Sequence, residues 1–491
     1  MKLALVSIDE VEALPPLGLG YLASYLRKYN GFDNTVIIDK ENLLKGIKRE
    51  KPDLIGISCT TIDYEKAKSL ARKVKEETNV PILLGGFHVT ALPHLMPDCF
   101  DIGILGEGEK TLSELIELFE RKKSFESKEL NKIKGICFHE KGKVVINERR
   151  KNIEPLDLIP FPARDLMKIK EYYLKPARHS FDKLSIGTSI ITNRGCCFNC
   201  LFCSQQHFWQ RTMRFHSPEY VAREIIQLIE KYPKIDMIKV MDDLFVIDKK
   251  RLKRIAELLR KEGIHQKTEF YVYGRTSLID NETCKILKSF NTQYINFGLE
   301  SGSERILSYL KDKSATVKQH YSALDACGRH KLKTEGTFIF GVPGETMQDI
   351  EKSFELVRNP NLDRVLFFQL LAYPQNEFWE LAKEKGLAAD DMDFSDWSAG
   401  FHKRAYLNEE IIPWNEFEKN VLPLIQKAYE EKNYGMGLLK IKPKYLLELG
   451  LWKRFFQQFN GFSRELIKRT MYMFGLKRRE QHTSKKIRCS N

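Results

Sequence analysis

No uninterrupted apolar run in the 491 residues approaches the roughly 18 needed to cross a bilayer, which excludes a chain of membrane-spanning helices. The opening MKLALVSIDE is too short an apolar stretch for a signal peptide, and no small-residue cleavage site follows it. A cytoplasmic location is therefore the expectation. Positive charge is scarce where a nucleic-acid-binding body would need it. The net charge is +14, but the segment from Gly435 onward holds 14 Lys and Arg against 3 acidic residues, leaving only +3 for everything before it. With no RNA-binding module visible either, no nucleic-acid partner is expected. Short repeats and low-complexity segments are also missing. A hydrophobic share of 42% with 30% charged residues is ordinary for a folded globular chain large enough for several cores.

Cysteine is present, but not as a disulfide framework. Four of the ten cysteines crowd into Cys196–Cys203, and Cys59, Cys99, Cys137, Cys284, Cys327 and Cys489 are scattered. Tight clustering in a large chain points to metal rather than to bridges, and the scattered thiols read as small buried hydrophobes.

Short apolar runs alternate with helical periods along the first part of the chain. LALVSI, TVII (35–38), LIGIS (54–58), PILLGG (81–86) and DIGILG (101–106) read as buried strands; 20–29 and 64–78 read as amphipathic helices. That alternation predicts a parallel sheet covered on both faces, with ligands at the carboxyl ends of the strands. A hairpin (135–147) and a stretch with three prolines (153–167) follow, read as a domain linker. A second series has strands at 185–192, 235–241, 269–273, 294–299, 334–340 and 365–370, with helices between them. Six such units predict an incomplete parallel barrel. The fold class is thus α/β: a Rossmann-like domain (1–125), hairpin and linker (126–180), a partial (β/α)6 barrel (181–390) and a helical basic region (391–491).

The segment NRGCCFNCLFCS (193–204) places Cys196, Cys200 and Cys203 on one loop after a barrel strand. Soft thiolates suit an iron–sulfur cluster, and three of them leave one iron of a cubane open to another ligand. Structural zinc would want four closed ligands, and adjacent Cys197 is poorly placed to be the fourth. Cys-x3-Cys-x2-Cys with Phe202 before the last cysteine resembles the signature of the radical S-adenosylmethionine (SAM) superfamily. The resemblance implies a four-iron four-sulfur cluster whose open iron chelates SAM and releases a 5′-deoxyadenosyl radical, with Phe202 against the adenine. KVMDDLF (239–245) resembles the segment that meets the SAM amino group, through Asp242 or Asp243. Arg275 in YGRTSLID is a partner for the SAM carboxylate, Glu300 and Ser301 in INFGLESGSERIL suit ribose and methionine, and the glycines of IFGVPGET (339–346) admit a nucleoside.

PPLGLGYLASYLRKY (15–29), PDLIGISCTT (52–61), GGFHVTALP (85–93) and ILGEGEKTLSEL (104–115) resemble the cobalamin-binding domain fused to many radical SAM enzymes. Strand-end positions Ser58, Gly85, Gly86, Gly106, Glu107 and Gly108 would then admit the corrin. Cobalamin domains that ligate cobalt through histidine carry Asp-x-His-x-x-Gly, whereas this chain reads Asp39-Lys40-Glu41-Asn42-Leu43-Leu44 there. His88 is read as a packed residue, not a cobalt ligand.

In the tail, Leu446, Leu449, Trp452, Phe455, Phe456 and Phe459 share one helical face, and 463–479 is similar and more basic. Two readings stand: helices at a membrane surface, or helices covering the barrel with solvated charges. The family resemblance implies cobalamin-dependent methylation of an unactivated carbon, with radical oxidative cyclisation as the rival and a non-catalytic cobalamin or iron–sulfur carrier as the reading from another class. A small-molecule or lipid substrate and a reducing donor such as flavodoxin or ferredoxin are expected.

Overall fold

The apolar runs of the first domain become a parallel sheet because each strand is buried on both faces. The computed structural model describes residues 1–8, 14–177, 179–180, 182–394, 397 and 400–434. Strands β1 (Leu3–Ser7), β2 (Thr35–Ile38), β3 (Leu54–Ser58), β4 (Ile82–Gly85) and β5 (Ile102–Ile104) pair in parallel in the order β2-β1-β3-β4-β5. Helices Leu17–Asn30, Leu43–Glu50, Tyr64–Glu77 and the short Phe87–Ala91 connect them, and Glu109–Lys122 follows β5. The hairpin β6 (Ile136–Glu140) and β7 (Lys143–Ile146) corrects the expected boundary. It is no part of a connecting segment, because β6 pairs antiparallel with β5, Gly103 opposite Cys137, and completes a seven-stranded sheet.

The second half begins with β8 (Gly187–Ile190) and a two-stranded ribbon, β9 (Asn193–Arg194) against β10 (Arg214–Phe215). Strands β11 (Met237–Val240), β12 (Glu269–Gly274), β13 (Thr292–Glu300), β14 (Lys333–Phe340) and β15 (Arg364–Gln369) follow, and six parallel strands run β15-β14-β13-β12-β11-β8. Side-chain caps start the intervening helices close behind the strands. Ser217 accepts from Tyr220 N, Asp248 from Arg251 N and Asp280 from Thr283 N, while Thr316 and Thr346 close reciprocal capping boxes. These short returns bring all strand ends to one face.

The sheet does not close, since β8 and β15 do not pair with each other. Helix Leu422–Tyr434 covers the β15 edge: Asn433 accepts from Val365 N at 3.1 Å and donates to Val365 O at 2.9 Å, as a neighbouring strand would. The segments Pro443–Phe459 and Ser463–Arg479 lie outside the described residues. No helix among the described residues is long and apolar enough to cross a membrane.

The proline-bearing stretch is a strap rather than a free linker. Arg164 is buried and donates to Ser189 O at 2.7 Å, Glu224 Oε1 at 3.0 Å and Thr188 Oγ1 at 3.3 Å, fixing the strap to the barrel. On the other side Ala163 N donates to Gly20 O at 3.0 Å, and the Tyr173 hydroxyl donates to Asp39. Apolar packing is shared as well, with one core running from Leu5 and Leu17 through Ile159 to Ile190 and Phe297.

Removing one partner of a buried ion pair strands the other charge. Arg164→Ala is therefore expected to cost about 3–5 kcal/mol, read as a fall in midpoint in denaturant unfolding, while the exposed Arg254→Ala costs under about 1 kcal/mol.

Candidate functional site

Cys196, Cys200 and Cys203 stand on the loop that the ribbon opens and closes. The neck of that loop needs glycine: Gly195 has φ +92°, and a β-carbon there would lie 2.0 Å from Thr212 O. Inside the loop, Cys203 N donates to Cys200 O at 3.0 Å, and Gln206 Nε2 donates to Cys200 O at 3.2 Å and Cys203 O at 3.4 Å. Outside contacts fix its position, with Leu201 N donating to Leu310 O at 2.9 Å and Asn376 Nδ2 to Phe202 O at 3.0 Å. Cys200 is buried, Cys196 and Cys203 are half-buried, and Cys197 is exposed, apart from the other three.

Burial pushes the Cys196 thiol up and that of Cys203 to about 12, so thiolates here require a cationic group among them. Among the described residues no three His, Cys, Asp or Glu side chains converge on a single ion. A cubane takes one thiolate at each of three irons and does not need such convergence. Arg275 completes the surroundings. It lies 3.8 Å from the Phe198 ring centroid, donates to Cys200 Sγ at 3.5 Å and to Ser314 Oγ at 2.6 Å, and its buried Nε has no partner. A soft donor set beside an orphaned guanidinium donor fits a cluster with a carboxylate-bearing ligand.

The two adjacent aspartates separate sharply. The buried Asp242 carboxylate accepts from Thr192 N at 2.5 Å, Asn193 N at 3.2 Å, Asn193 Nδ2 at 2.8 Å and the Thr192 hydroxyl, and so holds the strand ends. Asp243 stands open to the barrel mouth. The protein crowded around it pushes its carboxyl up to about 6, against donation from Gly195 N–H and the Trp209 side chain.

Glu300, at φ +63°, is not free either. Lys311 Nζ donates to its carboxylate at 2.8 Å and to Gly298 O at 3.0 Å, and lies 5.7 Å from the Phe202 ring centroid. Lys311 is a residue that sequence reasoning missed, since nothing in LKDK marks one lysine from the next. Ser301 is fully buried, accepts from Ser303 N at 3.1 Å and meets Ser353 Oγ at 3.2 Å, so it shapes the turn. In the GVPGET turn, Glu345 accepts from Gly341 N at 2.8 Å and Val342 N at 3.4 Å, and burial pushes its carboxyl up to about 8.

At the first sheet, Ser58 pairs with Gly85 in register at the strand ends. A β-carbon on Gly85 would meet nothing closer than 4.0 Å, so the face in front is bare and suits a flat ring. Gly86 turns the chain at φ +105°, where a β-carbon would lie 2.3 Å from Cys59 O. Gly106 N donates to Thr90 Oγ1 at 2.9 Å. Glu107 and Gly108 are engaged within the protein. Gly108 packs on Leu22, and the Glu107 carboxylate accepts from Arg194 Nη1 at 2.8 Å, Arg214 Nη2 at 2.9 Å and Ile153 N at 2.7 Å. His88 is a packed residue. It stacks on Tyr64 at 3.6 Å, meets Phe394 edge-on at 5.0 Å, and burial pushes it down to about 3, hence neutral.

The strand-end face and the cluster loop touch. Phe87, next to Gly86, stacks on Phe208 at 4.1 Å, and Arg149 donates to His207 O at 2.8 Å and to Phe208 O. The two segments expected to carry the cofactors on separate domains are therefore in direct contact.

Comparison with known proteins agrees with both halves. Residues 190–357 match the Radical SAM superfamily and residues 9–116 the B12 binding domain. An uncharacterized methyltransferase of Pyrococcus horikoshii is 32% identical over 379 residues, covering 75% of this chain and 78% of its own. The anaerobic magnesium-protoporphyrin IX monomethyl ester cyclase of Rubrivivax gelatinosus is 24% identical, covering 90% of this chain and 80% of its own. The radical SAM methyltransferase TsrM of Kitasatospora setae, solved with tryptophan and a SAM analogue, shares the fold at a TM-score of 0.69 and 17% identity, over 88% of this chain and 90% of its own.

The aspartates should part in experiment. Asp242→Ala strands buried donors and costs about 1–3 kcal/mol of stability. Asp243→Asn leaves stability within about 0.5 kcal/mol, yet weakens SAM binding to reconstituted protein by about tenfold or more in calorimetric titration. Glu345 provides a pH test. Its folded pKa, about 8, lies above the ordinary value of 4.5, so the folded state holds more protons between them and stability falls as pH rises across that window. Melting curves from pH 5 to 8 should show wild type losing ground to Glu345→Gln.

Proposed function

The chain belongs to the radical SAM superfamily, in the branch that carries a B12 binding domain, and on that premise we propose that it methylates an unactivated carbon of a polar small molecule. The carrying observation is a contact: the strand ends at Ser58 and the open Gly85 lie next to the loop of Cys196, Cys200 and Cys203, joined through the Phe87–Phe208 stack at 4.1 Å. A four-iron four-sulfur cluster, SAM and cobalamin, when bound, supply a carbon radical and a transferable methyl group. The protein's own residues hold and orient. Three thiols take the cluster, Arg275 offers its unpaired Nε to a carboxylate, Asp243 offers an acceptor to an ammonium, and Phe202 with Lys311 lines the adjoining wall. A radical formed there requires that water be kept out once the cofactors and substrate are bound.

The inner face of the barrel bears on the substrate. Lys239 lies 4.8 Å from the Tyr271 ring centroid, the Tyr271 hydroxyl and Asn296 Nδ2 donate to Glu335 at 2.5 and 2.7 Å, and Arg364 pairs with Glu335 at 3.0 Å. A substrate reaching that belt needs polar groups, which favours a polar molecule over an isoprenoid lipid. A low-potential donor of the flavodoxin or ferredoxin type would supply the electron.

Ring formation is the competing reading, supported by similarity to the cyclase across 90% of the chain. Anaerobic protein with its cluster reconstituted, given hydroxocobalamin, SAM and a strong reductant, separates the readings. Methyl transfer predicts retained cobalamin near one per chain and 5′-deoxyadenosine formation that falls by about a hundredfold or more in Cys200→Ala. 5′-Deoxyadenosine without retained cobalamin would favour cyclisation. A full cluster that cleaves no SAM would sink both and leave a carrier.

A further inference from the structure

Glu107 lies where a cofactor contact was expected, yet its carboxylate is wholly engaged elsewhere. It accepts from Arg194 Nη1 at 2.8 Å, from Arg214 Nη2 at 2.9 Å and Nη1 at 3.0 Å, and from Ile153 N at 2.7 Å. Glu109 adds a second carboxylate, 2.6 Å from Arg194 Nη2. The side chains are 4–8% exposed, so two carboxylates and two guanidiniums form a neutral buried lattice. Its members are not scattered over the interface between the halves. Arg194 and Arg214 pair directly across the ribbon, one on each strand, so each guards one end of the cysteine loop.

We propose that Glu107 is a positioning residue for the cluster: through Arg194 and Arg214 it sets where Cys196, Cys200 and Cys203 stand relative to the bare strand ends of the first sheet. Adhesion alone does not require it, because the shared apolar core already joins the halves. Apolar packing is non-directional, whereas bidentate guanidinium–carboxylate contacts fix orientation. The lattice also reaches into the loop. Both guanidinium carbons lie 5.9 Å from the ring centroid of Trp209, whose indole N–H donates to Gln205 Oε1 at 2.6 Å and whose side chain lies beside Asp243, the acceptor nominated for the SAM amino group. Glu107 accordingly governs two distances at once, from cluster to corrin face and from loop to Asp243.

The proposal rests on the reading of the loop as a cluster site, so its test has a part that does not. Hydrogen exchange by mass spectrometry on metal-free full-length protein should show faster exchange confined to residues 195–213 in Glu107→Gln, with the barrel helices unchanged. Asp165→Asn, which removes the exposed Arg27–Asp165 pair between strap and first domain, should leave that loop as in wild type. On reconstituted protein, Glu107→Gln should retain cobalamin about tenfold less tightly and lose the change that SAM produces in the EPR spectrum of the reduced cluster. Should Glu107→Gln fail to fold, Arg214→Lys keeps the charge, cannot make both bonds, and is read the same way. Unchanged loop exchange overturns the proposal, as does faster exchange with cobalamin retention and the EPR response both at wild-type level. Wild-type protein that takes up no cluster would sink the functional reading while leaving the exchange result to stand.

Discussion

Two glutamates buried against two arginines carry the connection on which the site depends, and charge is an expensive way to make it. Taking four ions out of water costs several kcal/mol each, and an apolar patch of the same size is often as stable or more so. What the ions add is direction, since a carboxylate shared between two guanidiniums tolerates little rotation. The shared apolar cores keep the halves together, and the lattice decides how they face. A chemistry in which one cofactor acts on a substrate that a second must also reach needs that decision more than it needs extra cohesion.

The same economy shows in the barrel mouth. Adjacent Asp242 and Asp243 divide between holding the strand ends and facing the cleft, because successive residues leaving a strand point opposite ways. Glu300 and Lys311 neutralise each other beside Phe202, so the wall there offers polarity without net charge. Arg275 keeps one donor unspent while its other nitrogens are satisfied. Each polar group is either consumed by the scaffold or left pointing into the cleft.

Much of this was legible beforehand. Alternating apolar runs give β1 to β5 and six barrel strands because burial on both faces leaves a pattern with little ambiguity, and the loop that carries Cys196, Cys200 and Cys203 falls after a barrel strand as expected. Partner choice was not legible. A hairpin at 135–147 shows in turn chemistry, but that β6 joins β5 depends on which edge is free, a tertiary fact. Glu107 reads as a strand-end polar residue, and only the ribbon's arrival from 87 residues away shows it to be taken. The partners that hold Ser301 and Asp242 are hidden for the same reason, and Lys311 escapes notice because its partner is supplied by backbone at positive φ.

The open edge of the barrel has a consequence for how such a protein diversifies. Asn433 plays the part of a missing strand for Val365, and Gln369 exchanges hydrogen bonds with His402 further along the same edge. The wall on that side is therefore assembled from side chains of the chain's last described segment, far in sequence from every cofactor-facing residue. That edge can therefore be rebuilt without disturbing the residues around the cysteine loop.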